Sequence, residues 1–421
     1  MEKIVIRGGK PLEGEVQASG AKNAILPLMC AALLTGDEMT FHRIPSLRDI
    51  RTTKQLLLQL GVRLDDFVPG TLRIKAGEIS DHTAPYELVK TMRASVLALG
   101  PLVAREGRAD VSLPGGCAIG ARPIDQHLKG LEALGANIEL DQGYVRARAQ
   151  RLRGAEFIFD LNTVTGTENI MMAAALAKGT TVLRNCAIEP EVAELAHVIN
   201  RMGGRVEGAG TDTIVIEGTD RLRGIVHEVM ADRIEVGTFL MAGAITRGDV
   251  TVNGCLPVHV AALLEKLDEV GLRVDTGDES VRVCSNGWIN SSDVATNPYP
   301  GFATDFQAQY MALMSMSEGN CQITENVFEN RFMHVQELVR MGADIRVTGR
   351  MANVKGVDCL SGAHVQATDL RASASLILAG LAAEGVTQVH RVYHLDRGYE
   401  QIEKKLALLG ADIAREKDEM I

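Results

Sequence analysis

The sequence predicts an α/β protein of two inside-out α/β barrels, each with three buried helices covered by sheets. Length gives one reason: 421 residues exceed what one ordinary core encloses. Internal repetition gives another. Apolar stretches end on Gly36, Gly107, Gly179, Gly248, Gly319 and Gly385, at spacings of 71, 72, 69, 71 and 66 residues, a regularity that marks six copies of one unit. The third is the contrast between the two helices of each copy. One is apolar or small on nearly every face and must be buried all round, whereas the other has one wet face.

Residues 4–7 (IVIR) form an orphan strand ahead of the first copy. It is expected to complete a sheet of the second half, making the domains residues 22–231 and residues 1–21 plus 232–421. The chain then crosses twice, around Gly20 to Lys22 and around Ala231. The first copy reads as an apolar helix within 18–36, a strand over 39–44 and an amphipathic helix closing on Leu60 and Gly61. Later apolar helices fall within 92–107, 167–179, 232–248, 305–319 and 369–385, each glycine serving as a C-cap. Outer helices surround Leu131 and Leu134 with Lys129, Glu132 and Asn137, and Leu406 and Leu409 with Glu403, Lys404 and Lys405. Short strands at 111–113, 181–183 and 250–252 fill out six pseudo-repeats of a βαβαββ-like unit, three per domain.

Composition narrows the function. A net charge of −10 argues against nucleic acid as a partner, so an anionic substrate needs a local cluster of cations. No apolar run reaches the ~18 residues of a membrane span and the N-terminus alternates like a strand, so a cytoplasmic protein without membrane association is expected. Seven cysteines without a Cys-x-x-Cys pair and ten histidines without a His-Glu-x-x-His pattern predict free thiols, no metal and no cofactor. His390 and His394 read as surface residues. Oligomeric state is left open.

Polar residues collect ahead of the buried helices: Lys22 and Asn23, Arg93, Thr165 to Asn169, Asp232 and Arg233, Thr304 and Asp305, and Thr368, Asp369 and Arg371. Capping alone accounts for the aspartates. Cations at helix N-termini oppose the dipole, so Lys22, Arg93 and Arg371 point to a bound anion. The loop 113–125 (LPGGCAIGARPID) adds one thiol, Cys117, among Gly115, Gly116 and Gly120, with Pro114 and Pro123 at its ends and Arg122 nearby. That composition suits a hinged flap over an anion. The competing reading is a glycine-rich turn around an inert thiol.

The motifs at 20–24 (GAKNA), 114–123 (PGGCAIGARP), 300–305 (PGFATD), 325–331 (ENVFENR), 367–371 (ATDLR) and 395–399 (LDRGY) resemble, end to end, the UDP-N-acetylglucosamine enolpyruvyl transferases of the EPSP synthase family. Segment 162–168 (NTVTGTE) departs from the family pattern. The resemblance implies transfer of the enolpyruvyl group of phosphoenolpyruvate to the sugar 3-hydroxyl, through a tetrahedral intermediate with release of phosphate, as the first committed step of peptidoglycan synthesis. It implies Cys117 as general acid, able to carry a phosphothioketal adduct, and Asp305 as base or orienting partner of the hydroxyl, with Lys22 and Arg397 also catalytic. Phosphoenolpyruvate would be held by Lys22, Asn23, Arg122, Arg371 and Arg397. The nucleotide sugar would meet Asn23, Arg93, Arg122, Pro123, Ile124, Asp125, Gln126, Thr163, Val164, Asp305 and Val327. Two rivals stand beside it: 5-enolpyruvylshikimate-3-phosphate synthase, which does not have the cysteine flap, and a non-catalytic nucleotide-sugar binder on the same units.

Overall fold

The computed structural model describes residues 2–90, 92–113 and 124–418. The described residues form two compact units, one containing residues 20–113 and 124–230 and the other residues 2–19 and 231–418. Each has its own apolar core.

Six helices are the centres of the six copies. In residues 20–230 they are α1 (Lys22–Ala31), α2 (Leu99–Glu106) and α3 (Val164–Ala174). In the other unit they are α4 (Arg233–Ile245), α5 (Gln307–Met314) and α6 (Leu370–Ala382). All thirteen residues of α4 are buried, Arg233 and Glu235 of its first turn included. The outer helices are amphipathic. In Pro190–Arg201, for example, Val192, Leu195, Val198 and Ile199 face inward at helical spacing.

Among the described residues there are six four-stranded sheets with one common pattern, a parallel pair followed by two antiparallel pairs. Strand Glu13–Gln17 pairs in parallel with Asp249–Asn253, which runs antiparallel to Ser280–Cys284, itself antiparallel to Arg273–Thr276. Alternate residues such as Val250 and Val252 point onto the helices. Strand Glu2–Arg7 lies between Val386–His390 and Asp412–Lys417, antiparallel to both, with Ile4 and Ile6 fully buried. Where the chain passes between units, the Ala21 N–H donates to the Met230 carbonyl at 2.7 Å and the Asp232 N–H to the Ser19 carbonyl at 2.9 Å.

Three local expectations are corrected. Only Gly107, at φ 72°, caps its buried helix directly. Gly179, Gly319 and Gly385 are left-handed (φ 97°, 100° and 91°) but stand one residue before a strand, where they turn the chain into the sheet. Gly248 is a close-approach glycine: a Cβ there would lie 2.0 Å from the Leu12 carbonyl oxygen. Second, two buried helices begin as 3-10 turns, Arg93–Ala98 and Thr304–Phe306, before the α-helix proper. Third, His390 is buried, not a surface residue; its Nδ1 is 2.7 Å from Asp418 and its Nε2 3.1 Å from His364 Nδ1. Burial of strand Val386–His390 carries it inside.

Candidate functional site

In residues 231–418 each buried helix has an aspartate at or just before its N-terminus, and the fold gives these aspartates different work. Asp232 accepts from the N–H groups of Ile234 and Glu235, and Asp369 from those of Arg371 and Ala372. Both are ordinary caps. Asp305 caps nothing. It sits in the 3-10 turn, so its carboxylate reaches sideways, taking Arg331 Nη2 on Oδ1 at 2.5 Å and Arg371 Nη2 on Oδ2 at 2.7 Å. Burial alone would raise its pKa, but Arg371 and Arg331 outweigh that and hold the carboxyl well below the usual range. The two guanidiniums are 5% and 7% exposed and the acid 25%, so the carboxylate is the accessible part of the cluster.

Both arginines are themselves fixed. Arg331 Nη1 donates to Thr304 Oγ1 at 3.0 Å, and that hydroxyl donates to Glu325 at 2.9 Å. Glu325 also accepts from Thr296 and from the N–H groups of Val327 and Phe328, which sets the backbone at Val327. Arg371 Nη1 donates to the Tyr399 hydroxyl at 3.3 Å. Arg397 ends the 3-10 turn Val392–Arg397, half-buried, while its neighbour Asp396 is taken by Arg415.

In residues 20–230, Lys22 is the first residue of α1, and its Nζ lies 3.2 Å from Asp49, buried on the helix Arg48–Gln59. Asn23 follows it, half-buried. Arg93 opens its 3-10 turn, half-buried, and lies close to His127. Burial, then Arg93, push that imidazole down to about 3, so it stays neutral between Asn169 and Thr165. Thr163 caps α3 through the Gly166 N–H, with Val164 as the first helical residue. Ile124 precedes the helix Asp125–Ala133 and is buried. Gln126 is buried with its amide already engaged: Nε2 donates to Asp125 and Asp160, and Oε1 accepts the Asp160 N–H. It therefore orients Asp125.

Cys117, Arg122 and Pro123 lie outside the described residues. Of the other cysteines, burial pushes the Cys30, Cys186 and Cys321 thiols up to about 12, and Cys359 is exposed. No group of residues among those described could hold a metal ion.

Lys22 and Arg371 oppose a helix dipole, but each already has a carboxylate of its own chain, Asp49 and Asp305. An external anion is not needed to explain them. Asp49, Arg331, Glu325 and Tyr399 had no assigned role, although 325–331 and 395–399 were among the distinctive motifs. Asp49, on an outer helix, carries no signal in the sequence.

Three buried helices per unit, covered by sheets of one common pattern, place the fold in the enolpyruvyl transferase class. The fold matches the crystal structure of the enolpyruvyl transferase NikO from Streptomyces tendae at a TM-score of 0.87, with 26% identity and 98% of each chain covered. It also matches an EPSP synthase from Acinetobacter baumannii at 0.77 over 99% of this chain and 100% of that one, a likeness of fold alone at 17% identity. The chain belongs to the EPSP synthase (3-phosphoshikimate 1-carboxyvinyltransferase) family, whose profile matches residues 6–406. Within it, the chain is 61% identical over 421 residues to the UDP-N-acetylglucosamine 1-carboxyvinyltransferase of Anaeromyxobacter sp. (strain Fw109-5), covering 99% of this chain and 100% of the relative. The protein of the same name from Myxococcus xanthus (strain DK1622) is 58% identical over 419 residues, with 99% and 100% covered.

Proposed function

We propose that the protein transfers the carboxyvinyl group of phosphoenolpyruvate to the 3-hydroxyl of UDP-N-acetylglucosamine and releases phosphate, in the synthesis of peptidoglycan. The observation that carries this is full-length identity of 58–61% to relatives of that name, and the Asp305 cluster supports it. A proton adds to C3 of phosphoenolpyruvate and the sugar oxygen bonds to C2, its own proton passing to the Asp305 carboxylate and on to the departing phosphate, giving a tetrahedral intermediate. Loss of a C3 proton and cleavage of the C2–O bond to phosphate then restore the double bond.

Asp305, kept ionised by two arginines, serves as the fixed acceptor that orients the sugar hydroxyl; its lowered pKa makes it a weak base. Cys117 supplies the C3 proton, since a thiol of ordinary pKa, ~8.5, is mostly protonated at neutral pH. Lys22, Arg122 and Arg397, with Arg371 and Asn23, balance phosphate and carboxylate. Val327 and the segment from Thr163 to Val164 hold the nucleotide sugar, with Arg93 and residues 122–126. No helix of the described residues is long and apolar enough to cross a membrane, and the reading places the enzyme in the cytoplasm, working without a cofactor.

The test is phosphate release from phosphoenolpyruvate with UDP-N-acetylglucosamine or with shikimate 3-phosphate as acceptor. Release with the first alone supports the proposal. Release with the second alone identifies the other branch of the family, and binding of nucleotide sugar without release identifies a binder.

A further inference from the structure

The Tyr399 hydroxyl meets one polar group from each buried helix of its unit: Thr238 of α4 at 2.9 Å, Gln309 of α5 at 3.2 Å and Arg371 of α6 at 3.3 Å. Tyr399 is 2% exposed, so these contacts are internal. Counting donors fixes their directions. Thr238 Oγ1 donates its proton one turn back to the Ile234 carbonyl at 2.7 Å, so it can only accept from the phenol. The amide Nε2 of Gln309 and Nη1 of Arg371 are donors. The phenol therefore gives its single proton to Thr238 and turns its lone pairs to Gln309 and Arg371. Arg371 thus has one Nη on the phenol oxygen and the other on Asp305 Oδ2, with its guanidinium 5.6 Å from the Tyr399 ring centre.

We propose that Tyr399 is a positioning residue for the transfer reaction: by pinning one Nη of Arg371 it fixes the other against Asp305, and so sets where the carboxylate meets the acceptor hydroxyl. The role rests on the function proposed above. The charged groups around Asp305 and Arg371 are Arg331, Asp232 and, through Thr304, Glu325; His334 lies near Arg331 and Asp369.

The experiment is phosphate release from phosphoenolpyruvate and UDP-N-acetylglucosamine as a function of pH, with melting temperatures of the same proteins. Tyr399→Phe keeps the ring and removes the acceptor oxygen. It should lose about tenfold or more in kcat and move the acidic limb of the rate profile to higher pH, because Asp305 is less firmly paired. Thr238→Val deprives the phenol proton of its acceptor and turns it toward two donors, so its limb should move the same way. Gln309→Leu removes a bond to the same oxygen and one to Thr238 Oγ1 but none to Arg371, together with a buried amide oxygen that has no partner, and its limb should stay in place. A purely structural role would lower melting temperatures and leave every limb unmoved. The assignment is overturned if the limbs of Tyr399→Phe and Thr238→Val coincide with wild type, or if Gln309→Leu shifts equally. Should one variant fail to fold, the other decides by the same criterion. Wild-type protein that releases no phosphate overturns the function and this role together, whereas an active wild type with unmoved limbs overturns the role alone.

Discussion

Taking the charge from Asp305 leaves two guanidiniums facing each other, each more than nine-tenths buried. Asp305→Asn should therefore destabilise the protein by about 3 kcal/mol, the low end for breaking a buried pair because the acid itself is partly solvated. Since its folded pKa is depressed, this contribution is present above the unfolded value of about 3.9 and is lost as pH falls below it toward the folded pKa. Urea unfolding at pH 7 and pH 3 checks this: the gap between wild type and Asp305→Asn should narrow at the lower pH without closing. For the thiols, a small anionic epoxide such as fosfomycin at neutral pH should label Cys117. Cys30, Cys186 and Cys321 should stay unlabelled, because burial leaves almost no thiolate. Peptide mapping that finds label on those three would end the assignment. At this scale the sequence is only partly legible. Asp232, Asp305 and Asp369 stand at equivalent places in three copies and look alike. Only the 3-10 turn at Thr304–Phe306 diverts the middle one from capping into pairing, and its partner Arg331 is distant in the chain.

Helices buried on every side were readable from composition, since no other location suits a surface apolar all round. The glycines between helix and strand were readable as a period but not as a mechanism, because two physical causes share one position. Gly248→Ala should cost about 1–3 kcal/mol by forcing strand and helix apart, the overpacking range. Gly179→Ala has no neighbour within 4 Å, so it should cost only about 1–2 kcal/mol for a left-handed alanine. Thermal unfolding of the two variants measures the difference. A Gly248→Ala protein as stable as wild type would show that the Leu12 carbonyl can yield.

At the scale of the molecule, the sixfold period foretold six repeated units, but not one sheet per unit with a shared order of one parallel and two antiparallel pairs, which depends on partners far apart in the chain. Two strands near the N-terminus belong to sheets of the C-terminal copies. A fragment of residues 231–421 should consequently fail to fold, having lost central strand Glu2–Arg7 and edge strand Glu13–Gln17. A fragment of residues 20–230 keeps all three of its sheets and should unfold cooperatively, as followed by circular dichroism.

The placement of strand Glu2–Arg7 also fixes an order of events during synthesis. Its register partner for Arg7 is Asp412, so this strand has no permanent neighbour on that side until roughly 400 further residues have been made. At typical elongation rates of ~5–20 residues per second that wait lasts roughly 20–80 s. Throughout it an apolar segment carrying Ile4 and Ile6 trails free, while the inserted residues 20–230 can already close. A nascent chain of this topology is thus open to chaperone capture at strand Glu2–Arg7 while residues 20–230 are already folded.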